Sequence, residues 1–397
     1  MMAQLLTYCR LPLLLLGSLL WETNKISAQV FEDYAFRQQA KEGLDFTYNM
    51  QFEKAQAVFV QLEEKHPEHP APHYLLAFNR WWQSYISTTQ TYHPYMEHEL
   101  AQALKLNARY ANDPAYRLEY TFFQYMIYAF QARLYILQRD WLNGANSGRK
   151  ALPYLEKGLA FAQESPEFYF SSGIYHYFAE TYPRKHSYLQ PFMVFFPDGN
   201  AKLGVDELDK ASRHSDFAQV ESLFYLGDIY LEEGEIKRAL QVKRKLSRQY
   251  PRNTWFEVDY ARALLWAEEY NSAREILESI QAVYETQTGA QVRQISSVES
   301  RYTSLLMVRV YHLLGRIALE QQASPEIAIS LLDQSLSMIT LCGLSEYEYL
   351  PLNYYYRAVA LEKLSRLEEA KASYQKVLEL EDNAEVLRPS MQALKRL

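Results

Sequence analysis

The sequence predicts an all-α fold, an α-solenoid of stacked helix-turn-helix units. A spacing of 34 residues separates Gly43 from Ala77 and Gly227 from Ala261. Small residues at these points let two helix backbones approach closely. A period of this length indicates helix hairpins that stack, because a single hairpin cannot bury its own apolar face. Apolar residues make up 48% of the 397-residue chain, which is ample for a continuous core.

Each unit carries small, apolar and proline residues at fixed offsets. In the first unit Gly43 lies midway along one helix, Ala55 lies early in the next, and Pro67 follows its end. Proline ends the second helix because it lacks an N–H donor and disfavours helical backbone in the preceding residue. The same offsets recur as Leu226, Gly227, Tyr230, Ala239, Leu246 and Pro251, and in part as Ala358, Leu361, Ala370 and Tyr374.

This pattern resembles the tetratricopeptide repeat family. The match is closest over 36–69, 220–253 and 254–287 and looser over 70–103, 308–342 and 351–384, with an irregular helical centre over 104–219. The resemblance implies a right-handed superhelix that binds a protein or peptide on its concave face. It does not identify that partner. No flexible Gly/Ser linker interrupts 29–397, so we expect one solenoid.

Residues 1–28 have the pattern of a bacterial secretory signal peptide. Arg10 supplies the positive end, an apolar run extends from Leu11 to Trp21, and Ala28 offers a small residue for cleavage. The run is shorter than the roughly 20 helical residues that span a bilayer. We therefore expect export to the periplasm or envelope of a Gram-negative bacterium. The alternatives are a short uncleaved anchor, or a cytoplasmic protein if 1–28 is not a signal.

The centre departs from the repeat. A cap at Asp113-Pro114 starts a helix that is apolar on nearly every side as far as Leu137. We expect a core helix, with a homodimer interface through 114–138 as the alternative. Three prolines argue against a regular helix over 181–199. Its apolar run 192–196 is expected to fill the solenoid's groove, or else to contact a partner.

Helix starts are marked in the last third. Ser296 with Glu299 predicts a capping box, and Ser324-Pro325-Glu326 a cap followed by proline. The stretch 385–397 is typical of a terminal capping helix. Cys342 has no partner for a disulfide after signal removal, and we interpret it as a small apolar filler.

The sequence offers no catalytic constellation. His66, His69 and His73 lie close together, but in a proline-rich turn without the further ligands of a zinc site. No glycine-rich phosphate loop and no Gly-x-Ser-x-Gly motif occurs. The net charge of −7 argues against binding to nucleic acid and to an anionic membrane surface. We predict that the chain is not an enzyme and needs no cofactor.

The family resemblance also implies which side chains line the concave groove. Carrying the family's groove-facing offsets onto the closest units indicates Glu221, Phe224, Asp228, Glu232, Trp255, Arg262, Trp266, Arg309, His312 and Arg316. Trp255 and Trp266 are the expected anchors, because Trp and Arg dominate interface energies. The alternative for either tryptophan is that it fills space between repeats.

These observations predict a protein-binding scaffold of the cell envelope. The alternative is a glycan- or nutrient-binding envelope protein that uses exposed aromatic platforms. Trp81 and Trp82 are the aromatic pair that most favours it. The absence of a lipid-attachment cysteine after the apolar run argues against it.

Overall fold

A computed structural model describes residues 29–161, 165–185, 190–193, 196–288, 297–321, 324–345, 347–380 and 384–397. The fold class is the one predicted, a right-handed α-solenoid of stacked helix pairs, and the described residues contain helices and turns but no strand. The signal-peptide prediction for 1–28 lies outside these residues.

The helices follow one another through short turns. Two 3₁₀ segments, Ala108–Tyr110 and Pro114–Tyr116, precede the fifth α-helix. The α-helices are α1 Tyr34–Tyr48, α2 Phe52–Lys65, α3 Pro70–Ser87, α4 His93–Asn107, α5 Arg117–Leu137, α6 Trp141–Leu159, α7 Glu167–Lys185, α8 Gln190–Met193, α9 Ala201–His214, α10 Gln219–Glu232, α11 Ile236–Gln249, α12 Thr254–Trp266, α13 Tyr270–Thr288, α14 Val298–Glu320, α15 Pro325–Leu341, α16 Tyr349–Lys363, α17 Leu367–Glu379 and α18 Ala384–Arg396.

Close packing within a hairpin depends on the small residues that the sequence places there. In the first pair the Phe59 ring of α2 lies against the backbone of Gly43, where a Cβ atom would come within 2.2 Å of the ring. Ala55 is fully buried in the same contact region. The steric interpretation of the repeat is thereby confirmed.

Most turns within pairs share one backbone conformation. Among the described residues, six of these turns have a residue with left-handed φ between the two helices, and only one of the six is glycine: Met50, Thr88, Arg139, Gly234, Glu268 and Ser365. Arg139 separates α5 from α6, which pack as a hairpin. The centre therefore contains a helix pair of the same kind as the repeats, which the sequence pattern had not shown.

Several predicted boundaries need correction. Three prolines argue against a regular helix over 181–199, but α7 continues through Pro183 to Lys185. Pro183 removes one helical hydrogen bond, and α7 ends two residues later at Lys185. Ser297 caps α14 in a capping box with Ser300, whereas Ser296 lies outside the described residues.

The central helix α5 belongs to the core, as expected. Phe122, Phe123, Ile127 and Phe130 are all buried within the chain itself. Apolar exposure on α5 is confined to its C-terminal end, at Ile136 and Leu137. The homodimer interface through 114–138 stays a prediction. So does the placement of the run 192–196, which lies partly outside the described residues.

The first helix pair packs against repeats that come some 200 residues later. The side-chain amide of Asn253 donates to the carbonyl of Tyr48 over 2.7 Å, and the two residues are 205 positions apart. Arg301 Nε donates to the carbonyl of Ser87 over 2.9 Å, across 214 positions. One hydrophobic cluster joins buried residues of α1–α5 to buried residues of α10–α14 and contains both Val30 and Ile317. The solenoid is therefore closed on itself, with α1–α3 docked on α10–α14.

Candidate functional site

The side of the solenoid lined by the first helix of each pair is its inner surface. Of the ten side chains predicted to bind a partner there, half are buried, namely Glu221, Phe224, Trp255, Arg309 and His312. These five contact other parts of the chain and offer no open surface to a ligand. Of the predicted side chains, only the five that remain accessible are therefore candidates for binding a partner.

Helix α3 covers much of this predicted groove. Trp82 Nε1 donates to Glu221 Oε1 over 2.9 Å, and the Trp82 ring meets Phe224 edge to face at 5.4 Å. Tyr85, one turn further on, contacts Trp255 with ring centroids 6.0 Å apart. The aromatic residues of α10 and α12 thus serve as the docking surface for α3 of the same chain.

The two tryptophans that most favoured a glycan-binding function are buried. Trp81 and Trp82 are only 2% and 1% exposed. Trp81 is covered by the guanidinium of Arg133, 3.9 Å from its ring centroid. Neither indole can stack on a sugar ring, so the expectation that this pair forms an exposed platform is wrong.

The contact between α3 and α10 includes a carboxyl group with a shifted pKa. Burial raises the pKa of Glu221 to about 7, although Arg133 and the Trp82 hydrogen bond act in the opposite direction. Because the pKa is raised, folding favours the protonated acid. The contribution of Glu221 to stability is greatest below its unfolded-state pKa and is lost as the pH rises towards 7.

We expect Glu221→Gln to stabilise the protein at alkaline pH. The amide keeps an acceptor for Trp82 and removes the cost of burying a charge. Relative to the wild type, the free energy of unfolding should rise by roughly 1–3 kcal/mol at pH 8 and change little at pH 4.5. Urea unfolding at both pH values measures the difference. Glu275→Gln, on the exposed face of α13, is the control. A difference that does not vary with pH would contradict the assignment.

A buried network of charges joins α10, α11, α12 and α14. Lys243 Nζ lies 2.7 Å from Asp228 and 3.4 Å from Asp259. Asp259 also pairs with Arg309, and Arg262 with Asp228. The Arg309 guanidinium stacks on Trp255, 4.0 Å from the ring centroid. Arg309 and Trp255 therefore hold the inner surface together.

Opposite charges decide the ionisation of the network. Burial on its own would raise the pKa of Asp259, but Lys243, Arg309 and Arg262 together hold it well below its usual range. The sequence pattern pointed to Arg262 and Arg309 but not to Lys243, which lies on a second helix. Its stem packs against Gly227, where a Cβ atom would meet it at 3.1 Å.

His312 is a structural residue. Burial lowers the pKa of its imidazole to about 3, with a smaller contribution from Arg316. Its Nδ1 lies 2.8 Å from the side-chain oxygen of Asn353, which is also buried. The side chain is thus neutral and joins α14 to α16.

Five side chains of the inner surface remain partly accessible and form a continuous band over α10, α12, α14 and α16. We call Asp228, Arg262, Trp266, Arg316 and Tyr356 the inner strip. Trp266 is 45% exposed. The Arg316 guanidinium lies 5.8 Å from its ring and 4.7 Å from that of Tyr356. Arg316 Nε is itself buried and has no hydrogen-bond partner among the described residues. Glu232 is exposed at the end of α10.

Two histidines of the proline-rich turn region contact carboxylates within the chain. His69 Nε2 lies 3.2 Å from Glu119, and His73 Nδ1 lies 2.7 Å from Glu99. These pairs tie α3 to α4 and α5. Among the described residues, no three His, Cys, Asp or Glu side chains are placed to hold a metal ion. Within the same ranges, no helix has the length and apolar character needed to cross a membrane.

Models of the tetratricopeptide repeat match residues 230–292 and 353–383. The chain therefore contains these repeats in the two regions that include α11–α13 and α16–α17. A comparison with curated protein sequences finds no match.

Several solved structures are similar in fold. A human IFIT1 dimer with m7Gppp-AAAA is 16% identical, with a TM-score of 0.45, over 84% of this chain and 68% of that one. NprR in complex with its cognate peptide NprX is 14% identical, with a TM-score of 0.35, over 91% and 83%. Yeast Tom70 is 11% identical, with a TM-score of 0.33, over 92% and 88%. Likenesses this distant do not identify the ligand of this chain.

Proposed function

We propose that this chain is a non-enzymatic scaffold of the bacterial cell envelope that binds a peptide or protein segment along the inner strip. Tetratricopeptide repeats generally mediate protein–protein interactions, and this chain contains them. The observation that carries the proposal is the inner strip itself. It presents charged and aromatic side chains in succession on the first helices of four units.

At one end of the inner strip, the side chains are accessible to a bound segment. Asp228 and Arg262 already form an ion pair with each other. By contrast, Trp266 is 45% exposed. Among the described residues, the partly accessible Arg316 contacts the rings of Trp266 and Tyr356 but has no ion pair. A bound segment would supply an apolar side chain to the indole and a carbonyl or carboxylate oxygen to the guanidinium. Trp and Arg side chains of this kind are the usual centres of interface energy.

The envelope part of the proposal is supported by the signal-like pattern of 1–28. Export would place residues 29–397 outside the cytoplasm. Removal of 1–28, with two basic residues and one acidic residue, changes the net charge from −7 to −8, and a charge of this size favours solubility.

Site-specific photo-crosslinking in cells tests the proposal. The full chain carries benzoylphenylalanine in place of Trp266, and a control carries it in place of Ala282, which is exposed on α13. We expect a distinct envelope protein to be captured from position 266 only, and its yield to fall when Arg316→Ala is added. Equal capture from both positions, or none from 266, would refute binding at the strip.

The N-terminus of the captured material tests the location separately. A start at Gln29 agrees with export and cleavage. An intact Met1 on protein recovered from the cytosol would overturn the envelope assignment and leave the binding result unaffected.

A further inference from the structure

Helix α11 concentrates positive charge in an acidic protein. Its 14 residues, IKRALQVKRKLSRQ, include six Lys or Arg and no Asp or Glu. One of the six, Lys243, points inwards to the buried network, and Arg238 pairs with Glu235. The other four are exposed and constitute what we call the outer ridge: Lys237, Arg244, Lys245 and Arg248.

The four cations of the outer ridge lie on one face. At 3.6 residues per turn they fall within an arc of about 100°, and they extend over roughly 16 Å of helix axis. None of them has an ion pair, hydrogen bond or aromatic contact with another described residue. Like charges four apart, such as Arg244 and Arg248, destabilise a helix by a few tenths of a kcal/mol. No acidic side chain of the described chain offsets this repulsion, so the outer ridge is open to an external anion.

Two kinds of anion fit the ridge poorly. Single-stranded nucleic acid requires aromatic side chains for base stacking, and α11 has none, while the adjacent Tyr250 is buried. A membrane is wide and would also meet the next second helix, α13. That helix exposes the acidic side chains Glu275, Glu278 and Glu285, which repel anionic lipid.

A narrow, linear anion avoids this repulsion because it can lie along α11 alone. Carboxylate side chains match Lys and Arg heads individually and need no stacking partner. We propose that the outer ridge is a docking surface for an acidic, Asp/Glu-rich polypeptide segment of a partner protein. This inference rests on the proposed scaffold function and adds a second binding surface, on the opposite side of the solenoid from the inner strip.

Binding of defined probes to the purified full chain tests this inference by fluorescence anisotropy at low salt. The probe is a labelled oligo-glutamate of about ten residues, which when extended is longer than the ridge. The ridge variant carries Lys237→Gln, Arg244→Gln, Lys245→Gln and Arg248→Gln. A matched control with the same change in net charge carries Lys105→Gln, Lys202→Gln, Arg388→Gln and Lys395→Gln, all exposed on other helices.

We expect the wild type to bind oligo-glutamate and the ridge variant to bind it about tenfold more weakly, since each exposed ion pair contributes a few tenths to 1 kcal/mol. The matched control should stay within about twofold of the wild type. Equal losses in both variants, or no binding by the wild type, would overturn the proposal. Tighter ridge-dependent binding of an oligothymidylate or of phosphatidylglycerol vesicles would also overturn it.

The two experiments separate failure of the outer-ridge proposal from failure of the proposed scaffold function. The ridge variant leaves Trp266 and Arg316 unchanged, so crosslinking at the inner strip reports on that surface alone. Far-ultraviolet circular dichroism of both variants verifies that the helices persist.

Discussion

Replacing Asp259 with asparagine is expected to lower the free energy of unfolding by about 3–5 kcal/mol. The side chains of Lys243 and Arg309 are only 2% and 4% exposed, and Asp259 lies between them. Asparagine preserves the volume but removes the charge that both cations share. Breaking a buried ion pair costs more than the pair itself contributes, because the remaining charge stays desolvated.

A surface ion pair provides the control. Asp333 pairs with Arg357 at 2.7 Å, but its side chain is 48% exposed. Asp333→Asn should therefore cost less than about 1 kcal/mol. Urea unfolding monitored by circular dichroism measures both variants. If the two variants lose similar stability, the network of Asp259 does not hold the inner surface together.

The stability difference between the wild type and Asp259→Asn should also depend on pH. The pKa of Asp259 in the folded protein is lowered, so its contribution is present above the unfolded-state pKa of about 3.9. It is lost progressively as the pH falls below that value. Unfolding curves at pH 7 and pH 3 should therefore show a smaller gap at the lower pH, provided that the wild type remains folded there.

Adding one methyl group at Gly204 is expected to destabilise the protein by about 1–3 kcal/mol. Helices α7 and α9 cross at this residue with their backbones almost in contact. A Cβ atom on Gly204 would lie 2.6 Å from the backbone nitrogen of Tyr177 and 2.7 Å from the carbonyl oxygen of Gly173. Backbone atoms cannot rotate away, so the two helices would have to separate.

The matched control is a glycine-to-alanine substitution at a position where a Cβ atom has enough space. At Gly148 of α6 a Cβ atom would meet its nearest neighbour, the Phe196 ring, at an ordinary 3.4 Å. Gly148→Ala should therefore stabilise by up to about 1 kcal/mol through helix propensity. Thermal unfolding of the two variants should shift in opposite directions. A neutral or stabilising Gly204→Ala would show that this crossing is less tight than the structure has it.

Local features of the fold could be predicted because they depend on residues within one hairpin. Gly43 and Phe59 are 16 positions apart in one unit, and their contact follows from the period. The α5–α6 pair was not predicted because its proline, Pro153, lies inside the second helix rather than after its end. Its turn residue Arg139 has the same left-handed φ as Met50 and Glu268 in the recognised units.

The candidate site was harder to predict because long-range contacts decide which of its residues are accessible. Position within a repeat predicts that Glu221 and Trp255 face inwards, and they do. It does not predict that Trp82, 139 positions before Glu221, covers them. Trp266 and Arg316 lie beyond the reach of α3 and keep the exposure that the repeat pattern implies.

Closure of the solenoid has a consequence for synthesis of the chain. In an open array, contacts are local and each unit can form as soon as it leaves the ribosome. Here the nascent first hairpin lacks its docking partner until about 205 further residues have been added, as the bond from Asn253 to Tyr48 requires. At typical elongation rates of 5–20 residues per second, that delay is roughly 10–40 s. During that interval the surface of the hairpin that later packs against Tyr250 and Asn253 is exposed, and we expect chaperones to bind the nascent chain there.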